Sequence, residues 1–325
     1  MKATFIRSAA DPLKYLLWKT QVGILHACPP LCGLVSTISL GAANSSKVWA
    51  KTLFRVAAQA PRVLFRHWSN QWNRRVVLGR ITIPVTMRCT LRCDKCAAHT
   101  LDFKSYQDER LCDLLQDVQF LLSCIDYIYV VYLAGGEPFL NPDLDQIIRV
   151  CADSGKIGNI SVVTNGTVIP DAKTLAALRE TKTAVKISKY PPALQPDAEK
   201  LKSILKESGI PFIHESCAAW SDIGSSGQRK EGSAKRRFSV CVQHLCLPCF
   251  KGQLHLCGDS AFLITEGLIP DCKEDYIDLR AADPAAFRGQ LRKLLKKRVI
   301  SACSYCLGDT YKTPKIPVAA QRELT

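Results

Sequence analysis

Three cysteines, Cys89, Cys93 and Cys96, sit close together in the string IPVTMRCTLRCDKCAAH, directly after a run with strand character. The Cys-x3-Cys-x2-Cys spacing lets one short loop wrap three corners of an iron–sulfur cubane, and thiolates are the soft ligands such clusters require. Structural clusters use four ligands, so three cysteines with no fourth close by leave one iron open to a small molecule. The same triple also suits a zinc site completed by His99. At the end of the next strand-like run stands Ala134-Gly135-Gly136-Glu137-Pro138. Paired glycines let backbone approach a ligand closely, and Glu137 can fix a positively charged amine. Read alone, the same five residues also make an ordinary strand-to-helix loop, with Pro138 and Pro142 suiting a helix start.

A second constellation lies toward the C-terminus, where seven of the 16 cysteines fall between Cys241 and Cys306. Cys241 precedes Gly252 and Cys257, and the pair Cys303 and Cys306 follows a predicted helix. Four thiolates in two separated pairs can close a complete cluster cage. Cys246 and Cys249 offer a competing arrangement, because with Cys303 and Cys306 they would make a tetrahedral four-cysteine zinc site. Cys272 is a further substitute. Cys112, Cys124 and Cys151 fall within helical patterns and are read as small core residues.

The elements that position these groups alternate. Strand-like runs cover Val76–Val85, Tyr127–Leu133, Ile160–Thr164, Ala184–Ser188 and Pro211–His214, and helical patterns cover Ser105–Cys124, Pro142–Ser154, Ala172–Glu180 and Asp197–Ser208. Such alternation predicts an α/β fold with a parallel sheet of βαβ units. Five to six strands are too few to close an eight-stranded barrel, so a partial (β/α) barrel is expected. Ligands of such open sheets lie beyond the carboxyl ends of the strands, where both motifs fall. The chain divides into a basic amphipathic extension (1–75), the partial barrel (76–216), a Gly/Ser-rich basic linker (217–240), a cysteine-rich iron–sulfur module (241–310) with one helix near Pro284–Lys297, and a tail (311–325).

Charge marks the extension off from the rest. Twelve of the 44 Lys and Arg residues but only one of the 29 acids, Asp11, lie in the first 80 residues, as do four of the five tryptophans. The uncharged stretch from Thr20 to Ser46 is interrupted by Pro29-Pro30 and polar residues, which makes it a poor membrane span. Val48 to Trp72 alternates apolar and basic residues, and it suits either packing on the main domain or peripheral contact with an anionic membrane surface. No nucleic-acid-binding motif accompanies the charge. No secretory signal is evident, so a reducing, cytoplasmic setting is expected, in which clustered cysteines serve metals rather than disulfides.

Together, the cysteine triple and the Gly-Gly-Glu-Pro string resemble the radical S-adenosylmethionine (SAM) superfamily over residues 76–215, with a further likeness at 241–308. The resemblance implies a 4Fe–4S cluster on Cys89, Cys93 and Cys96 whose open iron chelates SAM. An electron passed through that cluster releases a 5′-deoxyadenosyl radical, which abstracts hydrogen from a substrate carbon. By the same resemblance Gly135, Gly136 and Glu137 hold the SAM amino group, and Asn165 and Ser188 contact its ribose and carboxylate. One departure is visible: Lys95 occupies a position that is commonly aromatic and packs near the adenine. The C-terminal cysteines resemble the short, twitch/SPASM-like auxiliary module, with Cys241, Cys257, Cys303 and Cys306 holding one extra 4Fe–4S cluster. The short module is similar to that of an aminocyclitol dehydrogenase, which implies oxidation of a sugar-like or cyclitol alcohol. Longer relatives modify peptides, which is the alternative, and a non-enzymatic iron–sulfur or zinc protein is a third reading. The implied partners are a small-molecule or peptide substrate and a low-potential electron donor such as flavodoxin or ferredoxin.

Overall fold

The computed structural model describes residues 75–105, 108–216, 219–310 and 312–323. The basic extension and its membrane-surface reading therefore lie outside the described residues, apart from Arg75. Among the described residues no helix is long and apolar enough to cross a membrane.

The first strand, β1 (Val77–Thr86), alternates buried and half-buried positions because it carries side chains to both faces of the sheet. Helix α1 (Leu111–Cys124) follows and buries Leu114, Val118, Leu121 and Leu122, whose spacing puts them on one face. Next come β2 (Tyr127–Gly135), α2 (Leu144–Asp153), β3 (Ile160–Thr164), α3 (Ala172–Glu180), β4 (Ala184–Lys189), α4 (Ala198–Glu207) and β5 (Phe212–Ser216). All five strands pair in parallel, so each helix serves as a crossover. β3 is buried along almost its whole length, whereas β2 and β4 alternate buried positions with half-buried ones such as Tyr129, Tyr132 and Lys186.

The chain beyond residue 216 does not stand apart from this core. A two-residue strand, β6 (Trp220–Ser221), is followed by a short helix, α5 (Ala234–Phe238), and then by β7 (Leu247–Phe250). β7 pairs in parallel with β1 through Ile81 opposite Leu247 and Thr82 opposite Pro248, making a sixth parallel strand. Two antiparallel strands, β8 (Gln253–His255) and β9 (Tyr276–Asp278), extend the sheet with α6 (Gly258–Thr265) between them. The order is β5-β4-β3-β2-β1-β7-β8-β9, with β5 and β9 at the two edges, so the sheet is open. The fold is α/β with a mostly parallel, unclosed sheet, as the alternation of elements predicts.

Helix α7 (Pro284–Leu295) begins with Asp283 accepting from the Ala285 N–H and with proline at its first position. It buries Phe287 completely, edge-on to Phe120 of α1 with ring centres 5.5 Å apart. Burial of one such aromatic side chain contributes about 2–3 kcal/mol. The stretches read as linker and tail carry defined elements. β6 pairs antiparallel with β10 (Lys315–Ile316), and α5 buries Phe238 while the Arg237 guanidinium donates to the Cys303 carbonyl at 2.8 and 3.1 Å. Cys124 and Cys151 are buried in the core as expected, whereas Cys112 at the start of α1 is exposed.

Candidate functional site

The three clustered cysteines leave the end of β1 and cross the carboxyl ends of the parallel strands. Their loop is fastened to β2 by backbone: Gly136 N–H donates to Thr86 O and Glu137 N–H to Arg88 O, both at 2.8 Å. This contact explains the two glycines. A Cβ on Gly135 (φ +126°) would lie 2.0 Å from Thr86 O, and one on Gly136 would lie 2.2 Å from Arg88 O. The close approach that the sequence assigns to a ligand is thus made to the protein's own cysteine loop.

Glu137 is likewise engaged by the protein itself. Its side chain is fully buried and accepts from the Thr164 hydroxyl at 2.8 and 2.9 Å, from Asn165 N–H at 2.8 Å and from Phe139 N–H at 3.2 Å. Burial raises its pKa to about 7, and those three donors work against the rise. The carboxylate therefore braces the end of β2 against the end of β3.

Asn165 stands between that brace and the loop. Its Nδ2 donates to Thr90 Oγ1 at 3.1 Å and to Cys89 Sγ at 3.5 Å, while Oδ1 accepts from Thr167 N–H at 2.9 Å. Ser188 closes β4, where its carbonyl accepts from Gln195 Nε2 at 2.7 Å, and it hydrogen-bonds to Tyr190. The Tyr190 phenol feels all three cysteines, and burial first, then those thiols, push its pKa up. Its ring meets Trp220 edge-on at 5.9 Å, and both rings pack in one cluster with Cys89, Cys93 and Cys96. Burial raises Cys89 and Cys93, and each also senses Cys96. By sequence the runs opening at Tyr190 and Trp220 suit either the mouth of a substrate site or, more simply, a solvated loop; the fold brings both rings to the cysteine loop.

His99 is not turned toward the cysteines as a zinc ligand would be. Its Nδ1 pairs with Asp102 at 3.2 Å and its Nε2 with Asp259 at 3.1 Å, and its ring lies flat on Phe262 at 3.9 Å. Burial works against its protonation, but the two carboxylates win and raise the pKa to about 9. Lys95, with φ +52°, directs its ammonium to Asp222 at 3.8 Å.

The second group of cysteines separates into two sets. Cys241, Cys257, Cys303 and Cys306 share one neighbourhood: burial raises all four thiols, Cys241 senses Cys306, and Cys257 senses both Cys303 and Cys306. Cys257 caps α6, its sulfur accepting from Ser260 N–H at 3.4 Å, and the Cys241 sulfur accepts from Gln243 N–H and Asp309 N–H at 3.4 and 3.3 Å. Gly308 (φ +73°) turns the chain there, where an added Cβ would lie 3.7 Å from the Cys241 sulfur. Cys246 instead bonds to Thr82 Oγ1 at 2.8 Å, and Cys249 is buried near Cys151 and Asp117. Cys272 lies on the half-buried segment before β9.

Both sets of thiols fit iron–sulfur clusters by donor chemistry: they are soft, buried or half-buried, and N–H donors meet the sulfurs of Cys89, Cys93, Cys241 and Cys257. Among the described residues no three His, Cys, Asp or Glu side chains converge on a single metal ion. Beside the first set opens a cavity of about 830 Å³, bordered by Lys95, Cys96, Trp220, Asp222, Gln243 and Asp309, of which Gln243 and Asp309 also meet the Cys241 sulfur.

Residues 83–189 match the family model described as the Radical SAM superfamily, so this segment is a radical SAM domain. GTP 3′,8-cyclase of Campylobacter jejuni is 30% identical over 103 residues, which are 31% of this chain and 31% of the relative. The chain thus spans about a third of that relative's length. The 7,8-dihydro-6-hydroxymethylpterin dimethyltransferase of Methanocaldococcus jannaschii is 29% identical over 98 residues, 30% of this chain and 19% of that protein. Among solved structures, BtrN in complex with AdoMet and 2-DOIA aligns at TM-score 0.44 and 14% identity, covering 70% of this chain and 92% of BtrN. Native anSMEcpe with bound AdoMet aligns at TM-score 0.45 and 14% identity, covering 67% of this chain and 81% of that one.

Proposed function

We propose that this protein is a radical SAM enzyme that oxidises a sugar-like or cyclitol alcohol in the cavity between its two thiol sites. Cys89, Cys93 and Cys96 would hold the SAM-binding cluster, and Cys241, Cys257, Cys303 and Cys306 an auxiliary one. When bound, these groups supply a hydrogen-abstracting radical at one end of the cavity and an electron acceptor at the other, so that a carbinol becomes a ketone.

The observation that carries the reading is the reach of the cavity. It is bordered by Cys96 of the first site and by Gln243 and Asp309, whose N–H groups both meet the Cys241 sulfur of the second. Its volume of about 830 Å³ falls in the range of small-molecule pockets. Asp222 and Lys95 offer polar groups to hydroxyls at its border, while Trp220 and Phe262 supply apolar wall. Such a setting positions one carbon and keeps bulk water from the reacting centre. In this reading Gly135, Gly136 and Glu137 would hold the SAM amino group, and Asn165 and Ser188 would contact its ribose and carboxylate. A low-potential donor of the flavodoxin or ferredoxin class would supply the electron.

The test is anaerobic reconstitution of the full chain with iron and sulfide, followed by dithionite and SAM. 5′-Deoxyadenosine is the expected product, and a panel of cyclitols and sugars should raise its yield for the true substrate class. A fully loaded protein that gives none above background removes the enzyme reading. A peptide that stimulates turnover where every cyclitol fails removes the substrate assignment alone.

A further inference from the structure

The segment 318–322 lies along the cysteine loop, although some 200 residues of chain separate the two. Asp94 N–H donates to Ala320 O at 2.6 Å and Arg322 N–H to Arg92 O at 2.7 Å. The Arg322 guanidinium adds bonds to Asp94 at 3.2 Å and Asp102 at 2.6 Å. Within this seam Ala319 is buried and holds φ +53°, a conformation costly for a residue with a Cβ. The seam holds that turn in place and presents the next side chain but one.

That side chain is Gln321, and its amide is oriented from both ends. Oε1 accepts from Arg92 N–H at 2.8 Å, and Nε2 donates to Ala319 O at 2.7 Å. One partner can only donate and the other can only accept, so the oxygen and nitrogen ends are fixed. The second amide hydrogen is left for Cys93 Sγ, 3.3 Å from Nε2. The sulfurs of Cys89 and Cys96 receive longer contacts, from Leu91 N–H and Asn165 Nδ2 at 3.5 Å and from Thr100 Oγ1 at 3.6 Å. Cys93 is also the most deeply buried of the three, at 6% exposure.

We infer that Gln321 is a positioning residue for the first cluster and sets its reduction potential by donating a hydrogen bond to the Cys93 sulfur. The inference rests on the radical SAM reading, because it requires a cluster on that thiolate. Hydrogen bonds to ligating sulfurs are among the protein's levers on cluster potential. A donor stabilises the reduced state, which carries more negative charge on sulfur, and so makes the cluster easier to reduce. Among the described residues of that seam, the amide of Gln321 is the group that hydrogen-bonds a ligand sulfur, while Ala319 packs beside Cys93 and the other bonds hold backbone or pair charges.

The experiment uses the full chain carrying Cys303→Ala and Cys306→Ala, so that the first cluster alone contributes to the signal. The midpoint is measured by electron paramagnetic resonance during redox titration, with Gln321 or with Gln321→Leu. Loss of the donor should lower the reduced-to-oxidised ratio about threefold to tenfold at a fixed potential, where tenfold corresponds to about 59 mV for one electron. As a measurement that needs no variant at position 321, the chain is also labelled with 15N in glutamine side chains. Pulsed resonance of its reduced cluster should show a 15N coupling. An unchanged midpoint in a loaded Gln321→Leu protein overturns the inference, and so does absence of the coupling in the labelled protein. A Gln321→Leu chain that fails to load leaves the decision to that coupling. Failure of the unsubstituted chain to show any iron–sulfur signal would instead overturn the radical SAM reading beneath it.

Discussion

The Thr164 hydroxyl and the Glu137 carboxylate meet at 2.8 and 2.9 Å, tying the end of β3 to the end of β2 beneath the cysteine loop. The contact is fully buried, so the protonation state of Glu137 is coupled to folding. Its pKa is raised to about 7 from 4.5, chiefly by burial. Between those values the folded chain holds a proton that the unfolded chain has released, so stability falls as pH rises through this window and levels off above it. On that account the metal-free protein should lose on the order of 2–3 kcal/mol between about pH 5 and pH 8 from this group. Glu137→Gln keeps an acceptor for Thr164 and removes the titration, so its urea midpoint should vary less across the same range. Equal pH slopes for the two proteins would show that the carboxylate is not held as described.

Gly135 and Gly136 should be intolerant of any side chain, for a reason separate from cofactor binding. The Cβ of an alanine would press on the carbonyl oxygens of Thr86 and Arg88 at 2.0 and 2.2 Å, and backbone cannot swing aside. Gly135→Ala or Gly136→Ala should therefore cost about 3 kcal/mol or more, and should lower thermal stability even without iron. Gly155→Ala, where nothing lies within 4 Å but φ is +62°, should cost only about 1 kcal/mol. Thermal melts of the three metal-free variants make the comparison. Comparable losses at all three positions would contradict the packing account.

The core was legible because its signals are local. Runs such as Ile160–Thr164 and Ala184–Ser188 put Val and Ile at core-facing positions, among them Val162, Val185 and Ile187, and the apolar spacing of α3 and α4 places those helices to within a residue or so. The cysteine triple was legible for the same reason, since its spacing is complete within one loop. What escaped the sequence depends on distant partners. β6 and β10 are two residues each and have no pattern of their own; they exist because Trp220 and Ile316 face one another across the fold. Gln321 is an ordinary polar residue in a segment read as a tail, and only the return of the chain to Arg92 and Cys93 gives it a role. The glycines were seen, but their packing against Thr86 and Arg88 was not, because a need for close approach does not say what approaches.

Arg280 joins the C-terminal part of the protein to the core. Its guanidinium bonds to Asp117 at 2.7 Å and to Glu109 at 2.6 Å, and Asp117 is only 4% exposed. Arg280→Ala would strand a buried carboxylate, which should cost about 2–3 kcal/mol after allowance for the partly exposed arginine. Pairing the change with Asp117→Leu removes the stranded charge and should recover much of the loss. Urea unfolding of the single and double variants supplies the measurement; additive losses would mean the two residues act independently.

The two thiol sites should load and act separately. Two 4Fe–4S cubanes require about eight irons per chain, whereas one cubane with a zinc site requires about four. Cys303→Ala with Cys306→Ala should bring the iron count to about half while leaving 5′-deoxyadenosine formation in place, since the first loop is anchored by β1, β2 and residues 318–322, and its contact with α6 through His99 involves neither Cys303 nor Cys306. Turnover of the true substrate should stop, because the acceptor at the far end of the cavity is gone. Replacing Cys89, Cys93 and Cys96 should remove cofactor cleavage altogether while the other irons remain. Iron and zinc analysis alongside product detection decides between the arrangements. Zinc in place of half the metal, or loss of cofactor cleavage when only Cys303 and Cys306 are changed, would contradict the proposed division of labour between the two thiol sites.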